Sequence, residues 1–197
     1  RIKNPGLVVR AALALLDEQP SLRFTVTFVG PVIWSGPPLP DPAAELRELI
    51  PPQHRDRFLF KERVERRDFV RVVCEYDVGV VASRFESFNM VAHELTHLGM
   101  PLLISDFDGF QQYFTSRNAF VFRRGSVLSL KEAMLRAIQL PFDSLPVSPL
   151  HYDDPLDPYR CVLAEPPATQ SERAEWWSSS EALAARTLLN TISCDEQ

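Results

Sequence analysis

Short apolar runs alternate with segments of helical periodicity through the first 140 residues, and this leaves few folds open to the chain. Phe24-Thr25-Val26-Thr27-Phe28-Val29 is a β-branched and aromatic run that stops at Gly30-Pro31. Residues 77–82 are apolar after Asp77, the pattern of a strand buried on both faces. Shorter runs at 57–60, 101–104 and 119–122 read as further strands. Helices are predicted between them. Asn4, as a capping side chain, precedes Pro5 at the first helical position, and Leu7, Val8, Ala11, Ala12, Leu15 and Leu16 then repeat at helical spacing up to Gln19-Pro20. Residues 41–50, 67–76, 87–98 (stopped by Gly99) and 129–140 read as helices too. Alternation with short connections predicts an α/β fold, a parallel sheet with helices on both faces. Such sheets take ligands beyond the carboxyl ends of their strands, so the loops after Val29, Ala82 and Ile104 are where chemistry is expected.

Beyond residue 140 the pattern weakens. Of the 17 prolines, seven lie between Pro31 and Pro52 and seven between Pro141 and Pro167. Proline fixes φ and removes a backbone donor, so both stretches are expected to be irregular. The reading is one domain over 1–140, then a proline-rich loop and a final helix over 180–192, the 141–197 segment packing back on the domain. The opening Arg1-Ile2-Lys3-Asn4-Pro5 has no initiator Met and runs almost directly into a helix, so the chain is expected to be the middle of a longer protein. A net charge of −5 argues against a general nucleic-acid binder, which needs a basic face. No apolar run approaches the roughly 18 residues of a membrane span, and no signal peptide is read at the start. Cys74, Cys161 and Cys194, odd in number and far apart, read as reduced thiols of a cytoplasmic protein. The mixed-sign run around Arg55, Arg57, Lys61, Arg63, Arg66 and Arg67 reads as a solvated face, with peripheral membrane contact as its alternative.

Two motifs overlap between Ser83 and Pro101. His93-Glu94-Leu95-Thr96-His97 is an HExxH sequence; on a helix its histidines share a face and can hold zinc, with the glutamate as general base. A zinc hydrolase also needs a third ligand. Leu103 stands where the extended pattern would place a histidine, and Glu132 has no supporting context. The plainer reading makes His93 and His97 ordinary helix residues, with the zinc metallohydrolase as an alternative.

The second motif is Glu86-x7-Glu94, one glutamate in the loop leaving a buried strand and the other two turns down the following helix. Eight residues advance a helix about 12 Å, too far for two carboxylates to act as acid and base on one bond. They could touch two ends of an elongated ligand. Between them the amides of Ser87, Phe88, Asn89 and Met90 open the helix, an anion site suited to a diphosphate. Hydroxyls, phosphates and ribose hydroxyls in that order describe a nucleotide sugar.

Ser83-x-x-Glu86-x-Phe88-x-x-Val91-x-x-Glu94, followed by Gly99-x-Pro101, a strand and Asp106-x-x-Gly109, resembles the C-terminal donor domain of retaining GT-B glycosyltransferases of group 1. The resemblance extends in register over roughly residues 1–140, including Lys3-Asn4-Pro5. It implies a Rossmann-like sheet forming one half of a GT-B fold, with the N-terminal acceptor domain absent. Glu86 would be the catalytic residue, binding hydroxyls of the transferred sugar, and Glu94 would bind the ribose hydroxyls. Lys3, with Arg1, would neutralise the donor diphosphate, and the amides of Phe88, Asn89 and Met90 would lie against phosphates and sugar. Residues 61–64 would edge the base. No metal or other cofactor is expected; the partners implied are a nucleoside diphosphate sugar as co-substrate and a glycan, lipid or small-molecule acceptor. Asn89 departs from the family, standing where glycine is usual. A phosphorylase or epimerase with the same fold and a catalytically idle transferase-like domain are the other classes compatible with these residues.

Overall fold

The computed structural model describes residues 2–30, 42–86, 89–108, 113–141, 145–146 and 186–191. The first proline cluster up to position 41, most of the second, Cys161 and Cys194 lie outside these residues. In chain order the elements are α1 (Pro5–Glu18), β1 (Phe24–Val29), α2 (Pro42–Glu48), β2 (Phe58–Lys61), α3 (Phe69–Val73), β3 (Val78–Val81), α4 (Met90–His97), β4 (Leu102–Ser105), β5 (Phe120–Phe122), α5 (Val127–Gln139) and β6 (Arg186–Thr191). Short 3-10 turns, Pro52–Arg57 and Arg66–Asp68, lead into β2 and α3.

The six strands form one sheet in the order β2-β1-β6-β3-β4-β5, every pair parallel. The α/β architecture expected from the alternation is therefore present. Side chains alternate across the sheet as the two-residue period requires. Phe24, Val26 and Phe28 of β1, Val78 and Val80 of β3 and Leu103 of β4 join α1, α2 and α5 in one core. Val29, Val81, Leu102 and Ile104 join α3 and α4 in the other. Helices thus cover both faces, and the strands read as continuous apolar runs because neither face meets water.

The end of the chain departs from expectation. The sequence reading places a final helix over 180–192, but Arg186–Thr191 is a strand, and a central one. Thr187 and Leu188 pair with Thr25 and Val26 of β1, while Leu188 and Leu189 also pair with Val78 and Gly79 of β3. Backbone groups bonded on both edges outweigh a modest helical preference.

At the other end, Asn4 is the N-cap of α1 but does not cap with its side chain, contrary to expectation. It sits in the left-handed region (φ 50°), and only its carbonyl serves, accepting from the Leu7 amide at 3.0 Å. The C-terminal end of α4 follows the sequence reading. Gly99, at φ +70°, lets its own amide reach the Thr96 carbonyl and the Met100 amide reach that of Leu95, closing the helix and starting β4.

Candidate functional site

From the centre of the sheet the chain runs outward in both directions, β1 to β2 on one side and β3 to β4 to β5 on the other. A crevice at such a switch point is where parallel sheets place ligands. The loop after β3 carries Ser83 and Glu86 there, and the lead into α1 meets it, since the Arg84 amide donates to the Ile2 carbonyl at 2.8 Å. That bond sets Lys3 beside Glu86. Lys3 Nζ donates to Glu86 Oε1 at 2.8 Å, with the lysine side chain 21% exposed and the glutamate 6%. Ser83 Oγ donates to the same oxygen at 2.5 Å. Ser105 Oγ, at the end of β4, donates to the Ser83 carbonyl, also at 2.5 Å.

Buried polar residues are rare in a core, and six of those described lie along this loop and the elements it meets: Asn4, Ser83, Glu86, Asn89, Glu94 and Ser105 are all buried. Burying them costs free energy unless they are bonded to protein or ligand, so their concentration marks a built site.

Asn89 opens α4. It adopts the left-handed region (φ 55°, ψ 67°), which asparagine tolerates better than other residues bearing a Cβ, and its Oδ1 accepts from the Ala92 amide at 3.1 Å. Glycine would meet the same backbone requirement. Met90 is the first residue of α4, and Glu94 is buried one turn further on. Lys3, Glu86, Asn89, Met90 and Glu94 therefore all lie in or beside the loop after β3 and the helix it opens. Arg1 and Phe88 lie outside the described residues.

The HExxH residues do not converge. His93 is buried, edge-on to Tyr113 at 4.8 Å between ring centres and 5.2 Å from Phe114, whereas His97 is exposed. Among the described residues no three His, Cys, Asp or Glu side chains cluster as metal ligands. His93 is a packing residue, one of the readings its sequence context offered.

Around the edge of the site, Asp106 Oδ1 accepts from the Arg124 amide at 2.6 Å, and Asp108 pairs with the Arg124 guanidinium at 2.9 Å. This joins the loop after β4 to the loop after β5, and the Asp108 carboxylate raises the Arg124 pKa further. Lys61, at the carboxyl end of β2, stands over Tyr76 and 2.9 Å from Glu75; the tyrosine first and the carboxylate second hold its pKa above the ordinary lysine value. A separate cavity of about 380 Å³, lined by Arg47, Glu48, Ile50, Arg55, Phe58 and Phe60, flanks the edge strand β2 and shares no residue with the site.

Sequence reasoning quoted Ser83 within a motif without giving it a task, and it missed Ser105 altogether. The Ser-x-x-Glu spacing was the available signal for the first; nothing local marks the second, which acts across two strands.

A doubly covered parallel sheet with this loop-and-helix site has the architecture of a GT-B glycosyltransferase domain. Residues 1–139 match the family described as Glycosyl transferases group 1, and the chain belongs to that family. It is 36% identical over 108 residues to a D-inositol 3-phosphate glycosyltransferase of Nocardia farcinica (strain IFM 10152), covering 55% of this chain and 24% of that protein. A protein of the same name from Nocardiopsis dassonvillei is 34% identical over 122 residues, 55% of this chain and 25% of its own length. The chain thus spans about a quarter of these relatives. Among solved structures, sucrose-phosphate synthase from Thermosynechococcus elongatus superposes with a TM-score of 0.54 at 19% identity, covering 93% of this chain and 41% of the other, a likeness of fold. Among the described residues no helix is long and apolar enough to cross a membrane.

Proposed function

We propose that this chain is the donor-binding, C-terminal half of a retaining glycosyltransferase, which moves a sugar from a nucleoside diphosphate sugar to an acceptor hydroxyl. The observation that carries the reading is the Lys3–Glu86 pair, 2.8 Å apart beside the opening of α4. A cation for the diphosphate and a carboxylate for sugar hydroxyls stand next to each other, as the bond joining sugar to phosphate requires. Lys3, Arg1 and the amides at the start of α4 take the diphosphate; Glu86 holds the sugar; Glu94 holds the ribose. Transfer proceeds on the front face, the leaving diphosphate taking the acceptor proton, so the protein supplies charge stabilisation and positioning in place of a nucleophile. With Lys3 and the helix opening facing the leaving group, the reading needs no metal. The acceptor belongs to a preceding domain. The relatives' names make a small polyol phosphate the first acceptor to try, and the reduced-thiol reading of the cysteines puts the reaction in the cytoplasm.

Calorimetric titration of UDP and GDP into EDTA-treated protein, with Glu94→Ala beside it, tests the reading. A dissociation constant near 100 µM, or about −5.5 kcal/mol, is expected for one nucleotide, unchanged by chelation and lost in Glu94→Ala. Failure of both nucleotides to bind, with the untreated protein carrying one zinc per chain, would reverse it in favour of the hydrolase.

A further inference from the structure

We propose that Ser83, itself held by Ser105, is the positioning residue that aims the Glu86 carboxylate at the donor sugar; this rests on the function proposed above. Both bonds to that carboxylate end on one oxygen. Oε1 receives the Lys3 ammonium at 2.8 Å and the Ser83 hydroxyl at 2.5 Å, and no described residue bonds Oε2. A carboxylate whose one oxygen is held by two donors from different directions is restrained in its rotation. Oε2 is then the oxygen that meets sugar hydroxyls.

The grip is rigid because its base is. Ser83 is 2% exposed and Ser105 0%, and the Ser105 hydroxyl donates to the Ser83 carbonyl, tying the end of β4 to the loop after β3. Ser83 therefore cannot shift along the crevice without breaking a buried bond. Lys3 is a less exact guide, since a four-carbon stem reaches one point from many directions. The lysine supplies the charge and the serine supplies the angle. A Ser-x-x-Glu sequence elsewhere caps a helix through backbone amides, whereas here the hydroxyl is spent on the acid itself.

The test compares a bare nucleotide with its sugar conjugate. UDP against UDP-glucose, and GDP against GDP-mannose, are titrated into the wild-type chain, Ser83→Ala and Ser105→Ala. Loss of a hydrogen bond to a charged group predicts that Ser83→Ala weakens the sugar nucleotide about tenfold and leaves the bare nucleotide within about twofold. Ser105→Ala is expected to go the same way by a smaller factor, and it decides the matter if Ser83→Ala does not fold. Equal weakening of both ligands would show Ser83 to be structural support for the whole loop and would overturn the proposal. So would a sugar nucleotide unaffected by either change. Wild-type protein that binds no member of either pair would instead bring down the donor-site reading on which the proposal rests.

Discussion

Asn89 meets two demands with one side chain. The chain must turn through a left-handed conformation to enter α4, and the first turn of α4 needs an acceptor for the Ala92 amide. Glycine satisfies the first and alanine neither. Asn89→Gly is expected to leave stability within about 0.5 kcal/mol, since glycine takes the left-handed region freely and replaces an asparagine cap at small cost. Asn89→Ala is expected to cost about 2 kcal/mol, half from the lost cap and half from the backbone. Urea denaturation of the two variants checks this; equal losses would mean that the φ value is not what constrains the position. At this scale the carboxylates and Lys3 are legible in the sequence because chemistry and spacing are written together there. The capping at Asn4 is misread because an asparagine's identity reveals neither its backbone angles nor its side-chain partner: Asn4 and Asn89 share the left-handed region, yet only Asn89 caps with its side chain.

Helix α4 owes its place to a strand residue without a side chain. A Cβ built on Gly79 of β3 would stand 2.7 Å from Leu95 Cδ1, 3.2 Å from Leu102 Cδ1 and 3.3 Å from Met100 Sδ. Gly79→Ala must therefore push α4 off the sheet or force Leu95 from its rotamer. The expected loss is about 1–3 kcal/mol, with weaker nucleotide binding because Glu94 lies on the same helix. Thermal unfolding and nucleotide titration of the one variant measure both; unchanged values would place the slack in the helix rather than at the contact. Strands and helices up to residue 140 are legible because burial on one or both faces sets their period, and their observed ends differ from expectation by a few residues. The close approach at Gly79 is not legible. A glycine within an apolar run does not say which neighbour it admits.

At the scale of the molecule, the sheet depends on a strand from beyond the residues that match the family. β6 stands between β1 and β3, yet it lies more than 40 residues past the end of that match at 139. A chain ending at Leu140 leaves the inner edges of β1 and β3 without their partner, and unpaired edges favour aggregation over folding. Such a truncation is expected to lose cooperative unfolding and to elute in aggregates on gel filtration; a monomer with an unchanged melting temperature would show that β6 adds nothing to stability. This is also where sequence reading fails most, since pairing across more than 100 residues leaves no trace in local periodicity. The charges have a consequence of the same reach. Lys3 already has Glu86 as a counter-ion in the ligand-free protein, and the chain as a whole carries −5. Such a protein projects no attractive field toward a dianion in solution. Encounter then gains nothing from long-range steering, and selection begins only once the ligand reaches the ammonium and its carboxylate.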